Sequence, residues 1–203
     1  MSTAERIVST NRPVPRWTVA DLVVASVLAV VGGIVFSIFN ATYLPLSEAL
    51  QFYPPLTGLY LGIWLFPGVL GALIIRKPGA AIYTELVAAV ISAFVGSAWG
   101  ISVIWYGLFE GLGAEIVFAV LLYRRFGLPV AGLAGAGAGV AAATMDLITY
   151  YPAFPIGQKL AYLVTVVLSG ILIAGIGSWV LARSLARTGV LAPLASGRDA
   201  ERI

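Results

Sequence analysis

Glu85, Glu110, Glu115 and Asp146 each fall inside a long apolar run, where an acid is costly. A charge at mid-bilayer depth costs on the order of 2.5–3.5 kcal/mol by insertion scales. No Lys or Arg shares those runs to neutralise them. Each acid must therefore be protonated, hydrogen-bonded inside the fold, or turned toward a hydrated cavity. Four such costs point to a binding or transport role for at least two of them, with interhelical hydrogen bonding by neutral carboxyls as the structural alternative. The chain has 0 Cys and 0 His. That removes disulfides, thiolate nucleophiles, Cys/His metal sites and histidine triads, so any chemistry rests on carboxyls, aromatics and backbone groups.

Spacing pairs the acids with rings. Tyr106 and Glu110 are four apart and share a helix face, as do Asp146 and Tyr150. Glu110 and Glu115 are five apart, about 140° around a helix, so they cannot both point straight into one pocket. Acids beside Trp and Tyr suit a flat, cationic or nitrogen-rich ligand. Rings stack on it, and a desolvated cation over a ring face gains up to about 2 kcal/mol. There is no G-x-x-x-x-G-K-[ST] for a nucleotide and no metal-ligand constellation.

The elements that must position these residues are membrane helices. The 203-residue chain is 60% hydrophobic and 10% charged, with mean hydropathy +0.99. Soluble domains carry about 25% charged residues. Six apolar segments are read: Trp17–Phe39, Leu56–Ile75, Ala80–Gly96, Val103–Tyr123, Leu128–Tyr150 and Leu160–Leu181. Each approaches the roughly 20 residues that cross a bilayer as a helix. Pro45, Pro54 and Pro55 are read as the break between the first two, Pro78 and Gly79 as the next, and Pro152 and Pro155 as the last.

Positive charge sets the orientation. Arg6, Arg12 and Arg16 precede the first segment, Arg76 and Lys77 follow the second, and Arg124 and Arg125 follow the fourth. Arg183, Arg187, Arg198 and Arg202 follow the sixth, leaving only Lys159 on the other side. An even number of spans with both ends in the cytoplasm satisfies this bias, and topology and lipid headgroups account for the arginines without nucleic acid. The expected fold is an all-α six-helix transmembrane bundle, N-in and C-in, in the cell membrane. Residues 16–187 form the membrane domain, with disordered cytoplasmic tails at 1–15 and 188–203.

Depth then sorts the candidates. Glu110 falls in the outer half of its segment, Glu115 nearer the middle, Asp146 about one turn below the outer surface, and Glu85 toward the cytoplasmic end. The aromatics Tyr43, Tyr60, Trp64, Trp99, Trp105, Tyr106, Tyr150 and Tyr151 also map to the outer half, where an interfacial belt is the plainer explanation. The expected ligand-binding set is Glu85, Glu110, Trp99, Trp105, Asp146 and Tyr150. Ala25, Ala29 and Gly33, four apart, form a small-residue stripe that either packs the bundle or docks a partner membrane protein.

Four stretches resemble a known family: Y-P-P-L-T-G-L-Y-L-G-I-W at 53–64, R-K-P-G-A-A at 76–81, G-S-A-W-G at 96–100 and G-L-G-A-E-I-V-F-A at 111–119. In order and spacing they are similar to the substrate-binding (S) component of an energy-coupling factor ABC transporter, of the YkoE type. The resemblance implies a six-helix bundle that binds thiamine or its hydroxymethylpyrimidine precursor near the outer face. It also implies a complex with a membrane coupling subunit and two cytoplasmic ATPases. It implies no cofactor and no enzymatic activity. In such components an A-x-x-x-A stretch on the first helix contacts the coupling subunit, and Ala25 to Ala29 matches it. Two other functions stay open on sequence grounds: a stand-alone proton-coupled carrier for a cationic small molecule, and an intramembrane carboxylate enzyme.

Overall fold

A computed structural model describes residues 16–200, with side chains to 197. Residues 1–15 and 201–203, which hold Arg6, Arg12 and Arg202, lie outside the described residues, as does the side chain of Arg198. All regular structure among the described residues is helical.

Helix α1 runs Val19–Ala49. Thr18 opens it with a capping box: its hydroxyl accepts from Asp21 N at 3.3 Å, and its own N–H donates to the Asp21 carboxyl at 2.6 Å. At 1.5 Å per residue α1 is about 46 Å long, more than the hydrocarbon core needs. The expected end at Phe39 is corrected by ten residues, and Pro45 lies inside the helix rather than in a linker. Proline costs the bond to the carbonyl four residues back. Here that residue is the exposed Ala41, whose freed carbonyl can meet solvent.

The second crossing, Pro54–Ile75, is apolar throughout but built in two pieces. A 3₁₀ stretch, Pro54–Ile63, precedes α2, Phe66–Ile75. The 3₁₀ carbonyls find side-chain donors on the last crossing: Thr165 Oγ1 donates to Pro55 O at 2.7 Å and Ser169 Oγ to Leu59 O at 2.6 Å. Gly62 permits this approach, since a Cβ there would lie 2.4 Å from the Ser169 carbonyl oxygen. Helix α2 is the centre of the molecule, buried from Pro67 to Ile75.

Helices α3 (Ala80–Gly96), α4 (Val103–Val120) and α5 (Leu128–Thr149) follow. The last crossing, Ile156–Arg187, joins α6 (Ile156–Ser169), a π-helical stretch (Gly170–Gly177) and α7 (Ser178–Arg187). Among the described residues, five helical runs are long and apolar enough to cross a membrane, and α3 is a shorter apolar helix. Helix α3 packs between α1 and α4, α4 packs on α5, and α5 packs on the last crossing. The expected disorder from 188 is corrected as far as 197: Leu191 and Leu194 are buried in the core, and α8 spans Ala195–Ala200. Leu191 and Leu194 join the core cluster, and α8 packs on α2 and α7.

The crossings alternate in direction and give the bundle two distinct ends. At the basic end, Trp17 Nε1 donates to Pro78 O at 2.9 Å and the Arg76 guanidinium lies 5.1 Å over the Phe126 ring. Lys77 pairs with Asp21 there. At the opposite, aromatic end, Tyr43 meets Trp99 edge-on at 5.3 Å.

The small-residue stripe on α1 faces inward. Ala25 and Ala29 are fully buried, and a Cβ on Gly33 would lie 2.7 Å from the Ala88 carbonyl oxygen of α3. The expectation that Ala25, Ala29 and Gly33 dock a partner is therefore corrected: they seat α1 on α3. Close backbone approach is what small residues supply in lipid, and α1 uses it here chiefly against α3.

Candidate ligand-binding site

A cavity of about 270 Å³ opens among the crossings at the aromatic end. Helix α1 lines it with Phe36, Asn40 and Tyr43, and α4 with Val103, Tyr106, Gly107 and Glu110. Both sets follow the three-to-four spacing that puts residues on one helix face. Trp64, at the end of the 3₁₀ stretch, Ser92 of α3 and Trp99 of the α3–α4 turn add to the wall. Asp146 near the end of α5 and the following Tyr150 and Tyr151 complete it.

The rings brace one another. Tyr43 lies 5.8 Å from Trp64 at 82°, Trp64 lies 6.3 Å from Trp99 at 84°, and Tyr106 stacks on Tyr150 at 6.1 Å and 24°. Edge-to-face and offset pairs of this kind are favourable beyond their buried area.

The four buried acids divide into two kinds. Glu110 lines the cavity, and among the described residues no hydrogen bond reaches its carboxyl. Asp146 also lines it; one carboxyl oxygen accepts from Tyr162, a fully buried phenol, at 2.5 Å, and the Tyr106 hydroxyl lies close by on the same wall. The remaining two are helix caps supplied from a neighbouring helix. Glu85 on α3 accepts from Gly68 N at 2.6 Å, in the first turn of α2. Glu115 on α4 accepts from Gly79 N at 2.6 Å and Ala81 N at 2.8 Å, at the start of α3. Helix N-termini leave N–H groups unpaired and favour negative charge, so a carboxyl satisfies both needs. Tyr123 donates to Glu115 at 2.6 Å. Burial, and then the adjoining Glu115 carboxyl, raise the Tyr123 hydroxyl above its ordinary range, so it stays a donor.

Of the six residues expected at the site, Glu110, Trp99, Asp146 and Tyr150 line the cavity together. Glu85 lies off its wall, wholly buried against α2, and Trp105 is 62% exposed on the outer surface of α4. Glu115, expected nearer the middle of its segment, sits at the basic end against the start of α3, about 7.5 Å along α4 from Glu110 and on a different face. Sequence reasoning missed Asn40 and Ser92 because it weighed only ionisable and aromatic groups. Ending the first segment at Phe39 also placed Asn40 outside the helix. The available signal was a carboxamide continuing the α1 face of Ala29, Gly33 and Phe36.

A family model described as ABC-type cobalt transport system, permease component, matches residues 20–141. The protein YkoE of Bacillus subtilis (strain 168), whose name assigns it provisionally as an HMP/thiamine permease, is 37% identical over 187 residues, 92% of this chain and 93% of its own. The crystal structure of an S-component of an ECF transporter superposes with a TM-score of 0.88 at 37% identity, covering 92% of this chain and 94% of that one. The chain belongs to the S components of energy-coupling factor transporters, in the YkoE family. As an S component it is an integral plasma-membrane transport protein and not an enzyme. The word cobalt in the family's description does not extend to a metal site here. Transition-metal sites draw on imidazole and thiolate, and the sequence has neither. Nor do three or more metal-binding side chains converge among the described residues.

Proposed function

We propose that this S component captures thiamine or its hydroxymethylpyrimidine precursor at the outer face of the cell membrane. It hands the ligand to a membrane coupling subunit powered by two separate cytoplasmic ATPases. In this reading residues 16–187 form six crossings, α3 being the shortest, with segments 1–15 and 188–203 both cytoplasmic. The basic end is then cytoplasmic and the aromatic end faces outward, as the positive-inside bias supports.

The observation that carries the reading is the carboxyl of Glu110, buried without a hydrogen-bond partner among the described residues, in a cavity walled by Tyr43, Trp64, Trp99, Tyr106 and Tyr150. Burying an acid without a partner is costly, and a ligand bearing amino groups or a ring cation supplies the missing donors. Asp146, held by Tyr162, offers a second acceptor, and the rings offer faces for a flat heterocycle. The volume, near the lower end of the roughly 300–1,000 Å³ of small-molecule pockets, fits one or two small rings. The family of the B. subtilis relative supports the substrate class.

Calorimetric titration of the detergent-solubilised chain with each compound tests this. Saturable binding of either, without ATP hydrolysis, is expected. Absence of both heat and thermal shift with thiamine and with hydroxymethylpyrimidine would overturn the substrate assignment.

A further inference from the structure

The cavity's acceptors, Glu110 and Asp146, come from α4 and α5. The wall formed by α1, the end of the 3₁₀ stretch and α3 carries a chain of three polar side chains from three different helical segments. Trp64 Nε1 donates to Asn40 Oδ1 at 2.9 Å, and Asn40 Nδ2 donates to Ser92 Oγ at 3.0 Å. All three line the cavity. Asn40 is 6% exposed and Ser92 2%.

The direction of this chain is fixed by chemistry. An indole N–H can only donate, so the Asn40 carbonyl must face Trp64 and its NH₂ must face Ser92. Ser92 must then accept, which leaves its own hydrogen to be given elsewhere. Helical serines and threonines commonly give it to the carbonyl four residues back. Ser37, Thr84 and Thr144 do so here, at 2.9, 2.7 and 2.7 Å. Ser92 makes no such bond, and among the described residues nothing accepts from it.

We infer that Ser92 is a ligand-facing hydrogen-bond donor, and that Asn40 and Trp64 are the positioning residues that hold it in that role. The inference rests on the ligand reading above and sharpens it. The ligand presents donors or a cation toward Glu110 and Asp146 and an acceptor atom, such as a ring nitrogen or hydroxyl oxygen, toward Ser92. Trp64, its one donor committed to Asn40, meets the ligand through its ring alone. Members of a hydrogen-bond chain polarise one another, so the terminal hydroxyl is a better donor than an isolated serine.

The test compares Ser92→Ala, Asn40→Ala and the double variant with the unsubstituted protein. Each is titrated with thiamine, with hydroxymethylpyrimidine, and with hydroxymethylpyrimidine analogues in which one ring nitrogen, the other ring nitrogen, or the hydroxyl oxygen is in turn replaced by a group that cannot accept. Ser92→Ala is expected to weaken the parent ligand roughly tenfold, the worth of one hydrogen bond with its buried partner left unpaired. It should leave unchanged the affinity of an analogue that lacks the accepting atom. Asn40→Ala should weaken the parent similarly, and the double variant should lose no more than Ser92→Ala alone, since the residues act as one unit. Equal loss for parent and analogues, or a lowered Tm with no change in selectivity, would overturn the inference and leave Ser92 as packing. Unchanged affinity in both single variants would overturn it as well. If the unsubstituted protein binds neither compound, the substrate reading falls and this inference with it.

Discussion

Glu85, Glu110, Glu115 and Asp146 are indistinguishable by composition, yet their oxygens meet different partners. Glu115 holds two backbone N–H groups and a phenol, whereas among the described residues no hydrogen bond reaches the Glu110 carboxyl. Substituting them should therefore separate stability from binding. Glu115→Ala leaves buried donors unpaired, at about 1–3 kcal/mol each. It is expected to lower Tm clearly in a thermal-shift assay while ligand affinity stays within about twofold. Glu110→Gln should do the reverse. A hydrogen bond to a charged group is worth about 1.5–3 kcal/mol, so calorimetry should read an affinity loss of roughly ten- to a hundredfold with Tm unchanged. If Glu110→Gln instead binds the ligand as well as the unsubstituted chain, the cavity's acid is not its anchor.

The cavity keeps its shape because the helices behind it touch backbone to backbone. A Cβ on Gly113 of α4 would lie 2.5 Å from the Gly137 carbonyl oxygen of α5, which has no side chain to move aside. These same helices carry Glu110 and Asp146. Gly113→Ala is thus expected to spread α4 from α5, cost about 1–3 kcal/mol of stability and weaken ligand binding together. Gly157→Ala, where an added Cβ meets nothing within 4 Å, is the matched control and should change neither. Retained affinity in Gly113→Ala would mean that the α4–α5 spacing does not set the site. The two-piece second crossing has a similar logic. Its 3₁₀ stretch exposes carbonyls that Thr165 and Ser169 satisfy, and it ends at Trp64 on the cavity wall.

At the scale of the whole molecule, the proposed orientation can be read directly. The chain has no cysteine, so single cysteines introduced one at a time report cleanly. Those replacing Arg124 or Arg125 should react with a membrane-impermeant thiol reagent only from the cytoplasmic side, and one replacing the loop residue Ala153 only from outside. The reverse pattern would place the aromatic end inside and remove the capture model. Transport separates the S component from a stand-alone carrier. Proteoliposomes holding this chain alone are expected to show no ligand accumulation under a pH gradient, and those holding the coupling subunit and ATPases to show accumulation with ATP. Accumulation by the chain alone would favour the carrier.

The sequence by itself determined the class of molecule, because bilayer solvation acts on each segment separately. Long apolar runs, basic connections and costly acids are local facts, and they carried the helical reading and the membrane location, while four short motifs at 53–64, 76–81, 96–100 and 111–119 carried the kinship. Segment α3 was legible to the residue, since Gly79 and Gly96 bound it on both sides. The site was legible where acid and ring share one helix face, as Tyr106 with Glu110 and Asp146 with Tyr150 do. Only the tertiary structure decided which acids face the cavity and which cap a neighbouring helix. It also turned Ala25, Ala29 and Gly33 inward and joined Asn40, Trp64 and Ser92 across three helical segments. Those outcomes depend on how helices distant in sequence approach one another, and that approach is set by side-chain packing between them rather than by any one segment.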